Sequence, residues 1–305
     1  MRYFKRNKFF TIILLIISVF IYTNYTRIIE PNPKIDRKSS LYVNDIYMSD
    51  GRIYNNYLNK NEKKAYNTLL KITKERKMSE KIVKREDETL ENLISNYTTA
   101  NQAIWIEHPE LISYASFSYR YRDDSNYIEL SPIYAINNPI EEEINTLLIE
   151  RKIDKIKQAT KNMSDLEKIK YVYEWIGDNA YYDKLFTGSS KNQSIYNVFI
   201  KGNAVCAGFA KTSQVIFQNI GIESMIITGY STGSHMWNVI KYNGKYYYYD
   251  STYAASIRDK NNKNYYDGLK QEKMNYYTID YANWYPKIET ENVLYKKQEV
   301  KWIID

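Results

Sequence analysis

Ser234-His235-Met236-Trp237-Asn238-Val239-Ile240-Lys241-Tyr242-Asn243-Gly244-Lys245-Tyr246-Tyr247-Tyr248-Tyr249-Asp250 is the stretch that decides the fold. The runs flanking Asn243-Gly244 are rich in strand-forming residues, and Asn-Gly between two such runs is the strongest short-range signal for a β-hairpin. A two-residue turn also fixes the register of both strands. With Tyr242 facing Lys245, Asp250 falls opposite Trp237 and Thr252 opposite His235. His235 and Asp250 are then diagonal neighbours on one face, about 7–8 Å apart at the backbone, within reach of an imidazole and a carboxylate leaning together. An aspartate at a strand end is ordinarily a turn residue or a solvated charge. Paired with histidine it has a chemical meaning: it fixes the tautomer and leaves the second ring nitrogen to exchange a proton with a nucleophile.

Working outward, the nucleophile on offer is the single cysteine, Cys206, in Gly202-Asn203-Ala204-Val205-Cys206-Ala207-Gly208-Phe209-Ala210. Cys206, Phe209, Ala210, Ser213, Ile216, Phe217 and Ile220 recur at three- and four-residue steps, which predicts an amphipathic helix with Cys206 at its head and Gly221 just past its end. A free cysteine on such a stripe is most often a small buried hydrophobe. A helix start, however, favours negative charge, which suits a thiol nucleophile. The chain has two histidines, so the imidazole partner is His108 or His235. His108 lies in Trp105-Ile106-Glu107-His108-Pro109-Glu110, where the proline predicts a loop or surface histidine.

Three segments resemble the transglutaminase-like superfamily, the circularly rearranged cousins of papain-like cysteine proteases. They are Gly202 to Ala210, similar to Gly-x-x-x-Cys-x-Gly-Tyr/Phe-Ala; His235-Met236-Trp237-Asn238, similar to His-Ala-Trp-Asn with Met236 in place of the frequent alanine; and Asp250-Ser251-Thr252. The order Cys, His, Asp is also the family's. The likeness extends upstream through Ser164-Asp165-Leu166-Glu167-Lys168-Ile169-Lys170, Trp175-Ile176 and Tyr181-Tyr182-Asp183. It implies a catalytic set of Cys206, His235 and Asp250 acting on amide bonds of a protein or peptide through a thioester, with no cofactor. The acyl acceptor, amine or water, decides between crosslinking, deamidation and hydrolysis. The resemblance also implies an oxyanion hole made by the Cys206 N–H and an upstream donor, for which Tyr182 and Asn203 are the candidates. The alternative is a catalytically silent binding or scaffolding module at the cell surface on the same fold.

Other chemistries lack their residues. Gly229-Tyr230-Ser231-Thr232-Gly233 fits Gly-x-Ser-x-Gly, but a nucleophile elbow leads from strand to helix and needs a later histidine, and none follows Asp250. Two histidines and one cysteine cannot build a Cys/His zinc site, while an all-carboxylate calcium or magnesium site stays open. The ten glycines form neither a dinucleotide fingerprint nor a Walker loop.

Phe9 to Tyr22 is a nearly unbroken apolar run preceded by Arg2, Lys5, Arg6 and Lys8, which predicts a basic cytoplasmic tail over 1–8, a signal anchor over 9–25 and an extracytoplasmic remainder. No Ala-x-Ala cleavage site follows, so an uncleaved single-pass anchor is favoured over secretion after cleavage. Four of the positive charges behind the net +7 sit in that tail, leaving about +3 on the rest, too little for a groove-reading nucleic-acid binder. With one cysteine no intramolecular disulfide can form.

Residues 59–104 read as helices, 111–136 alternate in strand fashion, and a further helix covers 141–161. Ser164 and Glu167 form a capping box, and Ser224 to Tyr230 reads as a strand ahead of the hairpin. The expected fold is α+β, with a Cys-bearing helix packed on an antiparallel sheet that carries His and Asp. The expected division is a helical and strand extension over 26–150 and a transglutaminase-like domain over 151–305, with its core at 164–253.

Overall fold

Caps and turns written into the sequence punctuate the chain. The computed structural model describes residues 51–122, 124–184 and 192–270 and the backbone of Thr278–Ile279. The tail and anchor expected over 1–25 lie outside these residues, and among the described residues no helix is long and apolar enough to cross a membrane.

After α1 (Arg52–Tyr57), Asn59 and Glu62 form a capping box at the start of α2 (Lys60–Lys74), with Asn59 N donating to Glu62 Oε2 at 2.7 Å. The stretch expected to be helical throughout is then broken by β1 (Glu80–Val83), four residues that alternate half-buried and exposed. That run is too short for its period of two to show against the helical residues around it. Thr89 caps α3 (Leu90–Glu107), and β2 (Tyr114–Arg120) and β3 (Tyr127–Tyr134) close a three-stranded antiparallel sheet in the order β1-β3-β2. Asn138 and Pro139 open α4 (Pro139–Thr160). Arg76, in the left-handed region just past α2, reaches across to this helix: it pairs with buried Glu142, donates to Ser113 Oγ at 3.0 Å and Ile136 O at 2.9 Å, and lies over the Tyr134 ring.

The expected Ser164/Glu167 capping box opens α5 (Asp165–Asn179), with Ser164 N donating to Glu167 Oε2 at 2.7 Å. β4 (Tyr181–Tyr182) pairs in parallel with β5 (Asn203–Ala204), which follows a π-helical turn at Asn197–Lys201 that ends on Gly202 in the left-handed region. Then come α6 (Cys206–Asn219), β6 (Ser224–Tyr230), β7 (Ser234–Tyr242), β8 (Lys245–Tyr249), α7 (Thr252–Ile257), a 3-10 turn at Tyr265–Leu269 and β9 (Thr278–Ile279). The last four strands form one antiparallel sheet in the order β8-β7-β6-β9.

The hairpin register is the expected one, from Tyr242↔Lys245 to Asn238↔Tyr249, with Asn243 and Gly244 at φ 48° and 74° as a type I′ turn requires. The ladder stops at Tyr249. Thr252 therefore does not face His235 but opens α7, because the Asp250 carboxylate turns back to accept from Thr252 N.

Helix α6 packs on β6 and β7 from one side and on α4, α5 and the π turn from others. Phe209, Val215, Ile216 and Phe217 meet Trp237, Val239 and Ile240 of the sheet and Ile169, Val172 and Ile176 of α5 in one buried cluster. Each such side chain contributes about 1.5–3 kcal/mol by leaving water. The expectation of an inward stripe is corrected here: Ala207 through Phe217 are buried without a break, Lys211, Thr212 and Gln214 included. A helix surrounded on every side has no solvent face for a polar stripe to mark.

Candidate active site

Cys206 is the first residue of α6 and half-buried. What sets it there is the glycine two residues on. A Cβ at Gly208 would lie 2.7 Å from Ala204 Cβ and 3.2 Å from Asn192 O, so only glycine lets the first turn of α6 close against β5. Val205 N donates to Asn192 O at 3.1 Å and fastens the approach to the helix. The glycine of the Cys-x-Gly spacing thus has a steric reason.

His235 stands near the start of β7, in register with Gly229 of β6. Its Nε2–H donates to Asp250 Oδ2 at 2.8 Å, and Thr252 N donates to the other carboxylate oxygen at 3.0 Å. Asp250 is 1% exposed. The Trp237 ring lies nearly parallel to the imidazole at 5.9 Å. Burial pushes the His235 ring towards neutrality, but the Asp250 carboxylate, by charge and hydrogen bond, and then the Cys206 side chain, by the same two means, outweigh it and carry the ring up to about 10. The ring is therefore an imidazolium at neutral pH, bonded through Nε2 to the Asp250 carboxylate and interacting with the Cys206 side chain. Sequence reading named all three residues, and the structure brings them together from three elements: the head of α6, β7, and the turn between β8 and α7.

Of the two candidate oxyanion donors, Tyr182 and Asn203 belong to adjacent strands, where Tyr181 pairs with Asn203 and Tyr182 with Ala204. The Tyr182 ring stacks on Phe209 at 6.2 Å, and its phenol is pushed up by burial and then by the charges of Cys206 and Asp250, so it shares their environment.

Three residues that the sequence motifs contain without a stated role support the site. Asn238 Nδ2 donates to Ala210 O at 2.9 Å, tying the histidine strand to the cysteine helix, and Ser213 Oγ meets Ser251 Oγ at 3.0 Å, tying that helix to the aspartate turn. Asn238 sits in the quoted His-x-Trp-Asn run, so its signal was present without its contact.

His108 corrects the expectation of a loop or surface histidine. It caps the C-terminus of α3 and its ring is only 10% exposed, with Nδ1 at 2.5 Å from Glu110 Oε1 and Nε2 at 2.8 Å from the Tyr66 hydroxyl. That hydroxyl also reaches Glu107 Oε2 at 2.9 Å, and Glu107 Oε1 accepts from Ile53 N at 2.6 Å. The network fastens α1, α2 and α3 together. Among the described residues no group of three or more His, Cys, Asp or Glu side chains could hold a metal ion.

The transglutaminase-like superfamily matches residues 154–251. Among solved structures, a TGase is similar at 18% identity and a TM-score of 0.33, over 46% of this chain and 44% of that one. The periplasmic domain of TgpA from Pseudomonas aeruginosa is similar at 13% identity and a TM-score of 0.30, over 42% of this chain and 56% of that one. The chain thus spans about half the length of these relatives. No curated protein matches the sequence. Residues 154–251, within which Cys206, His235 and Asp250 all fall, are a domain of the transglutaminase-like superfamily.

Proposed function

We propose that this domain is a cysteine acyltransferase or hydrolase that acts on amide bonds of proteins or peptides. The observation that carries it is the His235 ring held between buried Asp250 and the Cys206 side chain at a helix start. The Cys206 thiolate attacks the amide carbonyl carbon and forms a C–S bond. The His235 imidazolium gives its proton to the leaving nitrogen as the C–N bond breaks, leaving a thioester and a neutral ring. An amine or water then attacks the thioester carbon, His235 takes up its proton, the C–S bond breaks, and the Cys206 thiolate and His235 imidazolium are restored. Asp250 keeps the ring oriented and supports its charge throughout. The Cys206 N–H and the Tyr182 hydroxyl are the donors proposed for the oxyanion. The basic flank and apolar run of the first 22 residues support an extracytoplasmic place of action at a membrane.

The test is incubation of the protein with a glutamine-containing protein and a labelled primary amine, read by mass spectrometry. Amine incorporation, deamidation or backbone cleavage is expected for the wild type and none for Cys206→Ser. Iodoacetamide labelling of Cys206 should be rapid and slowed about tenfold or more by His235→Ala. An inert wild-type thiol, or products that persist in Cys206→Ser, would overturn the proposal.

A further inference from the structure

Asp250 holds His235 through its side chain, but something must hold Asp250. Its backbone N donates to Gly268 O at 3.0 Å, within the 3-10 turn. The contact is backbone against backbone: a Cβ at Gly268 would lie 2.0 Å from Asp250 O, 3.1 Å from Asp250 C and 2.8 Å from the Tyr173 hydroxyl oxygen. No rotamer change relieves a clash with a main-chain carbonyl, so the position has room only for glycine.

The turn itself is seated on α5. The Tyr173 hydroxyl donates to Tyr265 O at 2.6 Å, the Tyr266 hydroxyl donates to Glu174 Oε1 at 2.6 Å, and the Tyr173 ring meets the rings of Tyr265 and Tyr266 at 5.6 and 5.8 Å. Gly177, one helical turn on from Tyr173, leaves the notch that Tyr265 fills; a Cβ there would be 2.4 Å from the Tyr265 hydroxyl oxygen. A rigid helix thus fixes a rigid turn, and the turn fixes the aspartate from behind. These residues lie beyond 251, where the family match ends.

We propose that the Tyr265–Leu269 turn is a back plate that positions Asp250 for His235, with Gly268 as its positioning residue; this rests on the acyl-transfer reading of the site. Displacing the Asp250 main chain by about 1 Å takes a 2.8 Å hydrogen bond past the range in which it holds.

The test follows the His235 ring by NMR across a pH titration of the full chain. In the wild type the His235 midpoint is expected at about 10, raised by the Asp250 carboxylate and the Cys206 side chain against the effect of burial. In Gly268→Ala its midpoint moves down by about a pH unit or more, since the carboxylate no longer meets the ring squarely. Asp250→Asn moves it at least as far, and the double variant goes no further than Asp250→Asn alone, because both act through one bond. Where Gly268→Ala does not fold, Tyr173→Phe decides. It removes the hydrogen bond to Tyr265 O without adding bulk and should move His235 in the same direction. An unchanged His235 midpoint in whichever of the two folds, or additive shifts in the double variant, would overturn the proposal. The readout needs no substrate: a shifted midpoint with no amide turnover leaves the back plate standing and removes the acyl-transfer reading, and the reverse result does the opposite.

Discussion

His235 keeps a proton that burial alone would remove, and the partner that keeps it there is Asp250. The ring value of about 10 lies above the ordinary 6.5, so the stability from the pair is fully present below about 6.5 and is lost as pH rises through about 10. Asp250→Asn should accordingly lower the Tm most at pH 6, by an amount corresponding to about 3 kcal/mol, and little at pH 10.5, as a thermal melt at the two pH values will show. Turnover that needs the imidazolium as donor should fall above about pH 10 in the wild type. This pair was legible in the sequence because a two-residue turn counts register without any knowledge of the fold. His108 was not. Its partner Tyr66 lies 42 residues earlier, and the local signal, a following proline, says where a helix ends but not which side chains meet there.

Elements with local signals were read at their true places. The capping box at Ser164, the strand at Ser224–Tyr230 and the hairpin each depend on residues within a few positions of one another. β1, the π turn and the 3-10 turn carry no such signal; pairing and packing with distant segments make them. Helix α6 falls between the two. Its start and end were legible, its surroundings were not, because Lys211 and Gln214 would ordinarily mark a wet face. The closeness of its first turn to β5 leads to a prediction at this scale. Gly208→Ala should cost about 1–3 kcal/mol in urea unfolding and should slow iodoacetamide labelling of Cys206, since the added methyl forces the helix start away from Ala204 and Asn192.

Across the molecule, the motifs that resemble the family span 51 residues, Gly202 to Thr252, and their His235 and Asp250 meet in the fold, whereas the joint between α3 and α6 left no trace in the sequence. At that joint the Lys211 ammonium nitrogen sits 3.3 Å over the centre of the Trp105 ring and the residue is 4% exposed. Burial holds its amine well below the ordinary lysine range, so charging it costs stability. The ring face attracts a cation, but that attraction does not outweigh the loss of water. Lys211→Met should therefore stabilise the fold at pH 7 by about 1 kcal/mol, or about 2–4 °C in Tm. The sign follows from a lowered lysine value: the cost is felt at low pH and disappears as pH rises towards 10.5, so the gain in Tm should shrink there. The enclosure of α6 has a consequence for variation as well. Substituting each position of Ala207–Phe217 in turn should yield one unbroken band of intolerance rather than a pulse every third or fourth residue. Purifying selection along this helix would then record its central place in the packing, and a map of slow-evolving positions would overstate the extent of the site that Cys206 alone presents.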